Sequence, residues 1–530
     1  MVATLVESTA VKSTIDGGVS SVMRALVDQC FFGEHDVSRA GWMVEFTDGS
    51  ATTLFMRIGI IVSDEAAIHH MFNCKGSSGL KCCCLCSNVY NKNETRGIIE
   101  RDPTAVHHTC TDWSKVQLTT PDLLNAIFTT LASATGSAAD IAEMETSLGW
   151  MYHPKALLAT ERLRSLVSPL SSCTWDWMHV FYVSGIFNTC SFLVIKLIID
   201  SHVKRDDIHC FVASFTCPSK VKPADVLTAK RWKSSTEAGH LRASASECLS
   251  LMPILAQYCQ HLLDMRHGSG DLRLQLRCFL MLCRVLALIS RGPRLGINPD
   301  ELRTAINNFI RNFVYLNTNE KLTPKWHFMQ HLPDQIHGGW LQNCFVHERK
   351  HKQIKRFQND HRNVNAKYAQ YILRSVTHHF IGQLLEQPAD EFDDSLRLIN
   401  ARSPTVDEAA KIRELIDDVD TDGLTVAISM RAAETVSKKD LILVSEGDSH
   451  FLGELAIIAK SNDGIFFCII KKWDCVSNET RSWTISAYDA DVDPTSAFKV
   501  ILASKIVCAL TWDSAKTALK PLHCMQYSHM

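Results

Sequence analysis

Four stretches of the sequence carry residue types and spacings that could do chemistry. Asp64 closes the apolar run Ile60-Ile61-Val62-Ser63 and is followed by a helix-forming stretch. A carboxylate at a strand end faces a crevice and can ligate a hard cation such as Mg²⁺. The competing role for the same side chain is to cap the helix. Next comes Cys83-Cys84-Leu85-Cys86, a C-x-x-C with Cys82 beside it, Cys74 upstream and His107, His108 and Cys110 downstream. Two thiolates and a nearby His/Cys pair can close a tetrahedral zinc site, for which Cys83, Cys86, His107 and Cys110 are the expected ligands. The competing reading is a set of buried free thiols.

Asp176-Trp177-Met178-His179 sets an Asp and a His three residues apart, on one helical face, where they could hold each other, a metal or a phosphate. The richest stretch is Pro324-Lys325-Trp326-His327-Phe328-Met329-Gln330-His331-Leu332, followed by Phe345-Val346-His347-Glu348-Arg349-Lys350-His351-Lys352. The window Lys325–Arg374 holds nine Lys/Arg against Asp334, Glu348 and Asp360, a net +6 in a chain whose overall charge is -2. Such a cluster suits phosphate contact through Arg349, Lys350, Lys352, Lys355 and Arg356. A metal would account for the lone Glu348 in that setting, and a solvated basic helix with Glu348 in ion pairs is the alternative.

These residues must be positioned by ordinary globular elements. A chain of 530 residues is too long for one hydrophobic core and implies several domains. Near-neutral charge excludes nucleic-acid binding over the whole surface. Met1–Ser13 lacks the pattern of a secretory signal, so the 20 cysteines are expected as thiols or metal ligands rather than disulfides. The apolar run Val180–Ile199 carries Ser184, Asn188, Thr189, Ser191 and Lys196 and reads as a buried helix, not a membrane span. Gly17–Phe31 reads as a helix, and Gly41–Phe46 and Thr52–Val62 as buried strands. Helical periodicity dominates from Asp122 to Leu316, returns at Pro324, and runs again over Asn363–Leu385. After Gln387 the chain is acidic, with one short helix at Thr405–Ile416. After Ser437 it turns strand-like: Asp440–Val444, Leu452–Ala459, Gly464–Lys471, Ser482–Ser486 and Phe498–Ile501. This predicts a small barrel, with a turn at Ser461-Asn462-Asp463-Gly464.

Taken in order, the motifs resemble the CACTA (En/Spm-type) transposases. Ile60–Ala67, the Gly76/Gly79 stretch and Cys83/Cys86 look like that family's second acid and cysteine pair. Asp176/His179 matches its D-x-x-H, and Phe345-Val346-His347-Glu348-Arg349 its third acid. The resemblance covers roughly Gly17–Leu385. It implies a partial RNase H-like α/β core (1–120) with a zinc knuckle and a large all-α insertion (121–320). A basic helical segment (321–386) then returns Glu348 to the core, ahead of an acidic linker (387–437) and a small C-terminal β domain (438–530). It also implies Mg²⁺ or Mn²⁺ held by Asp64 and Glu348, with Asp176 and His179 organising the site, structural Zn²⁺, DNA as partner, a nuclear location and no membrane, with self-association left open. The departure is at the start. The family's first Asp precedes the helix before Asp64, whereas Asp16, Asp28, Asp36 and Asp48 sit in helix, turn or hairpin surroundings. The expected chain is therefore truncated and lacks the first acid of the triad. Its expected function is DNA cleavage and strand transfer where the triad is complete. A non-catalytic DNA- or RNA-binding protein on the same fold, and a helical protein-binding scaffold, are the rivals.

Overall fold

The computed structural model describes residues 15–32, 36–45, 49–91, 102–217, 221–290, 296–317, 322–345, 396–416, 423–431, 435–446, 449–477, 482–487, 498–513 and 522–526. Glu348, Arg349, Lys350, Lys352, Lys355, Arg356 and the expected helix over Asn363–Leu385 lie outside them. The chain forms two compact units, Met1–Phe181 with Asn298–Leu384, and Tyr182–Ile297 with Leu385–Met530.

The first unit begins with α1 (Gly18–Phe31), the hairpin β1 (Trp42–Glu45) and β2 (Ala51–Leu54), then β3 (Ile61–Ser63) and α2 (Glu65–Phe72). The expected strand over Thr52–Val62 is thus two strands. Neither β1 nor β2 is buried as expected: Trp42 is 59% and Met43 64% exposed. Among the described residues these strands pair only with each other, so no neighbouring sheet covers them. Asp64 caps α2 by accepting from Ala67 N at 2.6 Å, and Asn73 ends the helix in the left-handed region (φ 57°). Short parallel strands β4 (Val89–Tyr90) and β5 (Val106–His107) follow, then α3 (Pro121–Ala132), started by Thr120 and Pro121, and α4 (Ala138–Leu148). The strand β6 (Cys173–Trp175) pairs in parallel with β3, Ile61 opposite Cys173 and Ser63 opposite Trp175, and runs directly into α5 (Trp177–Phe181).

The second unit opens with α6 (Ile186–Asp200), α7 (Arg205–Ala213), β7 (Phe215–Thr216), α8 (Ala229–Ala238), α9 (Ala245–Asp264) and α10 (Gly270–Ile289). The stretch Trp177–Asp200 is long and apolar enough to cross a membrane by length and composition. Within its unit, however, α6 buries Phe187 and Cys190, and its Asn188 donates to Leu241 O at 3.0 Å, as in a core helix. The chain then supplies the first unit with α11 (Pro299–Leu316) and α12 (Pro324–His331). Residues 121–320 are therefore not one insertion. Helices α3, α4 and α11 fall in the crevice-bearing unit, where Phe309 and Phe313 of α11 lie against Trp326 of α12.

Composition changes at Gln387, and the unit boundary falls at Leu385. The expected acidic linker carries more structure than the one helix α13 (Val406–Leu415), which has a Thr405/Glu408 capping box. Around α13 stand β8 (Arg397–Ile399), β9 (Thr425–Ala427), β10 (Ser429–Arg431) and β11 (Thr435–Ser437), three-residue strands too short to give a sequence pattern. The strands β12 (Leu441–Glu446), β13 (Ser449–Lys460), β14 (Phe466–Ser477), β15 (Ser482–Ala487), β16 (Phe498–Leu502), β17 (Ile506–Asp513) and β18 (Leu522–Gln526) follow. The pairings β12–β13–β14–β15–β18–β17–β12 close into a ring, and β16 and β9 add to it outside, on β14 and β13. Ile442, Val444, Leu455, Ile458, Cys468 and Ile470 fill one of its cores. The turn at Ser461–Gly464 is present, closed by Gly464 N to Ser461 O at 3.1 Å, with glycine meeting its positive φ.

Candidate metal centre and the crevice beside it

Helix α12 starts at Pro324, whose fixed φ suits the first helical position. His327 and His331 are four residues apart on it, so their rings share one face. They meet the turn that holds Cys83 and Cys86. Cys83 Sγ lies 3.3 Å from His331 Nε2, Cys86 Sγ 3.3 Å from His327 Nε2 and 3.4 Å from His331 Nε2, and the two Nε2 atoms are 3.1 Å apart. All four residues are buried, and their ligand atoms lie within 4.8 Å of one another. A tetrahedral zinc with bonds of about 2.0–2.3 Å spaces its donors at roughly 3.3–3.8 Å, so this Cys₂His₂ set needs little adjustment to hold such an ion. Four protein donors and no open position describe a structural site. The group could hold a metal ion, with zinc the one its donors suit best.

The electrostatics agree with that role. Burial alone would raise the Cys83 thiol, but the bond with Cys86 and the neighbouring His327 outweigh it and bring Cys83 down to about 7. Burial, with Cys83 beside it, pushes Cys86 well up. Burial also lowers His327, and lowers His331 to about 4, so both imidazoles are neutral near pH 7 and available as ligands. Trp113 packs edge-on to His331 with ring centroids 4.9 Å apart. On the other side of the turn, Cys84 is held well down by hydrogen bonds with Cys173 and Cys74.

Cys83 and Cys86 are thus placed together, but the expected partners His107 and Cys110 are not in the group. His107 Nδ1 pairs with Thr109, and Cys110 Sγ donates to Asp112 O at 3.4 Å. The residues that join Cys83 and Cys86 in the group instead are His327 and His331, and His327 stands 241 residues beyond Cys86, a separation that a search of the neighbouring sequence does not span. Their H-x-x-x-H spacing was nevertheless in plain view.

Beyond α12 lies a crevice of about 340 Å³ lined by Asp64, Glu65, His69, Asp176, His179 and Lys325 among others. It forms where β3 and β6 end side by side, so that Asp64 and Asp176 each follow the last residue of a parallel strand. Asp176 is 1% exposed. Its Oδ1 accepts from Met178 N at 3.0 Å and Cys344 N at 3.1 Å, and its Oδ2 pairs with His179 Nδ1. Asp64 and Asp176 therefore take up the cap and the Asp–His pair that compete with metal ligation. Lys325 reaches in from α12 and donates to His179 O at 3.1 Å. Burial lowers its ammonium, against the pull of Glu65, Asp64 and Asp176. Burial raises Glu65, opposed by His69 and Lys325. The crevice carboxylates do not gather into a cluster as tight as the Cys/His set among the described residues. Asp64 and Asp176 each accept from backbone N–H groups here. Glu65 and Lys325 stand inside stretches singled out in the sequence, but neither they nor His69 were expected at the crevice, and it is the packing of α2 and α12 that brings them there.

No protein-family model matches the chain, and comparison with curated proteins returns no match.

Proposed function

We propose that this chain is a transposase-derived, nuclear nucleic-acid-processing protein of the CACTA (En/Spm) type. In this reading its RNase H-like core is steadied by structural zinc, and DNA is its partner. The observation that carries the reading is the pairing of β3 with β6, which sets Asp64 and Asp176 at the ends of adjacent parallel strands in one crevice. Ligands of open α/β sheets bind at such strand ends. The D-x-x-H pair borders the same crevice, and Cys344, whose N–H donates to Asp176, precedes Glu348 by only four positions in the chain. Lys325 and the basic run from Arg349 to Arg356 supply positive charge for a phosphodiester backbone. Mg²⁺ or Mn²⁺ is assigned to Glu348 with Asp64.

One observation favours the non-catalytic nucleic-acid-binding reading: both aspartates already serve the local backbone. Incubation of the purified chain with supercoiled plasmid and Mg²⁺ or Mn²⁺ separates the two. Catalysis predicts nicking that Asp64→Asn abolishes, since Asn keeps the helix cap and loses the charge. Salt-dependent DNA binding without nicking supports the non-catalytic reading. Neither binding nor nicking overturns both.

A further inference from the structure

Helix α12 is the shared wall between the metal centre and the crevice. His327 and His331 turn toward Cys83 and Cys86, while Lys325 turns the other way, toward Asp64, Glu65 and Asp176. Phe328 links the two sides. Its ring stacks on Trp175 with centroids 3.9 Å apart and planes 12° from parallel, and Trp175 immediately precedes Asp176. Both residues are almost fully buried. Lys325 Nζ is held by His179 O, and His179 by Asp176. An eight-residue helix gains little from its own backbone and takes its place from tertiary contacts. Here those contacts include the metal-ligand set on one face, the Trp175–Phe328 stack on the other, and the packing of Trp326 against Phe309 and Phe313 of α11.

We propose that the Cys83–Cys86–His327–His331 metal centre is the positioning device of the crevice. The ion it holds fixes α12 and thereby sets Lys325 over Asp64, Glu65 and Asp176, without itself touching anything bound there. Lys325 is the residue positioned, a fixed cation suited to a phosphate group entering beside the carboxylates. The inference rests on the proposed function only in taking the crevice as the working site. The coupling itself is readable without nucleic acid.

The test labels lysines of the full-length, zinc-loaded chain with acetic anhydride and maps them by mass spectrometry, alongside metal analysis. Removing zinc with a chelator should raise acetylation of Lys325 about tenfold, as local protection is lost. Lys115 and Lys155, whose side chains are already 66% exposed, should not change. Phe328→Ala should keep the zinc and still raise Lys325 labelling, because it breaks the transmitting stack. Verified zinc loss with unchanged Lys325 labelling overturns the proposal. Should chelation unfold the protein, seen in far-UV circular dichroism, Phe328→Ala decides alone: zinc retained with Lys325 still protected overturns it. Absence of plasmid nicking by the unmodified chain would sink the catalytic reading and leave the labelling result standing.

Discussion

On one face of α12 two imidazoles and two thiols point at one another, whereas in the crevice beyond the other face the aspartates point at backbone N–H groups. At the metal centre the contacts of the four ligand atoms among the described residues are with one another, and the atoms converge at distances an ion would impose. In the crevice, Asp176 accepts from two N–H groups and pairs with His179, and Asp64 accepts from Ala67 N. Motif-bearing residues can thus serve opposite ends. A side chain whose hydrogen bonds are met locally is a building element whatever else it does. A buried polar set that satisfies itself only around a shared point is asking for a ligand.

The largest effect should come from the metal centre. His327→Ala should abolish stoichiometric zinc, while His107→Ala and Cys110→Ser should keep it, and metal analysis of the three proteins reads the difference. Losing the ion should lower stability by about 4 kcal/mol where free zinc exceeds its Kd a thousandfold, measurable as a shift in the urea midpoint. Zinc retained by His327→Ala and lost from His107→Ala would restore the expected ligand set.

The two regions were also unequally legible in sequence. Helix α1 and the barrel strands β12–β14 follow from local periodicity and turn chemistry and overlap the ranges where hydropathy puts them. Both Cys83 and Cys86, and both Asp64 and Asp176, announced themselves by type and spacing. What the chain does not show is which distant segment completes a site. His327 and His331 are joined to the cysteines only by folding, and Lys325 enters the crevice because α12 packs against α5 and the β6 end. The exposed hairpin β1–β2 fails for a related reason: β-branched, apolar composition says strand, but burial depends on a neighbour that composition cannot name.

A middle-sized effect separates the two aspartates. Asp176→Ala leaves Met178 N and Cys344 N without an acceptor in a buried setting and should cost roughly 3 kcal/mol. Asp64→Ala removes a half-buried helix cap and should cost about 1 kcal/mol. Chemical denaturation of the zinc-loaded proteins measures both. A near-neutral Asp176→Ala would mean that its bonds are not structural, and would move the crevice toward the behaviour of the metal centre.

The smallest effect is a pH dependence at Glu65. Burial raises its carboxyl above the usual range, so the folded state holds this proton more tightly than the unfolded chain does. Its contribution to stability is therefore present at acid pH and is lost as pH rises through the raised value. Glutamine resembles the protonated form at every pH. Glu65→Gln should match the parent near pH 4 and be the more stable of the two near pH 8. The comparison is made between the two proteins at each pH, so that loss of zinc in acid affects both alike. A variant less stable than the parent near pH 8 would show that ionised Glu65 is needed as the counter-ion of Lys325. The acidic wall of the crevice would then be a structural ion pair, as internally satisfied as Asp176, and no longer a surface awaiting a cationic or phosphate-bearing ligand.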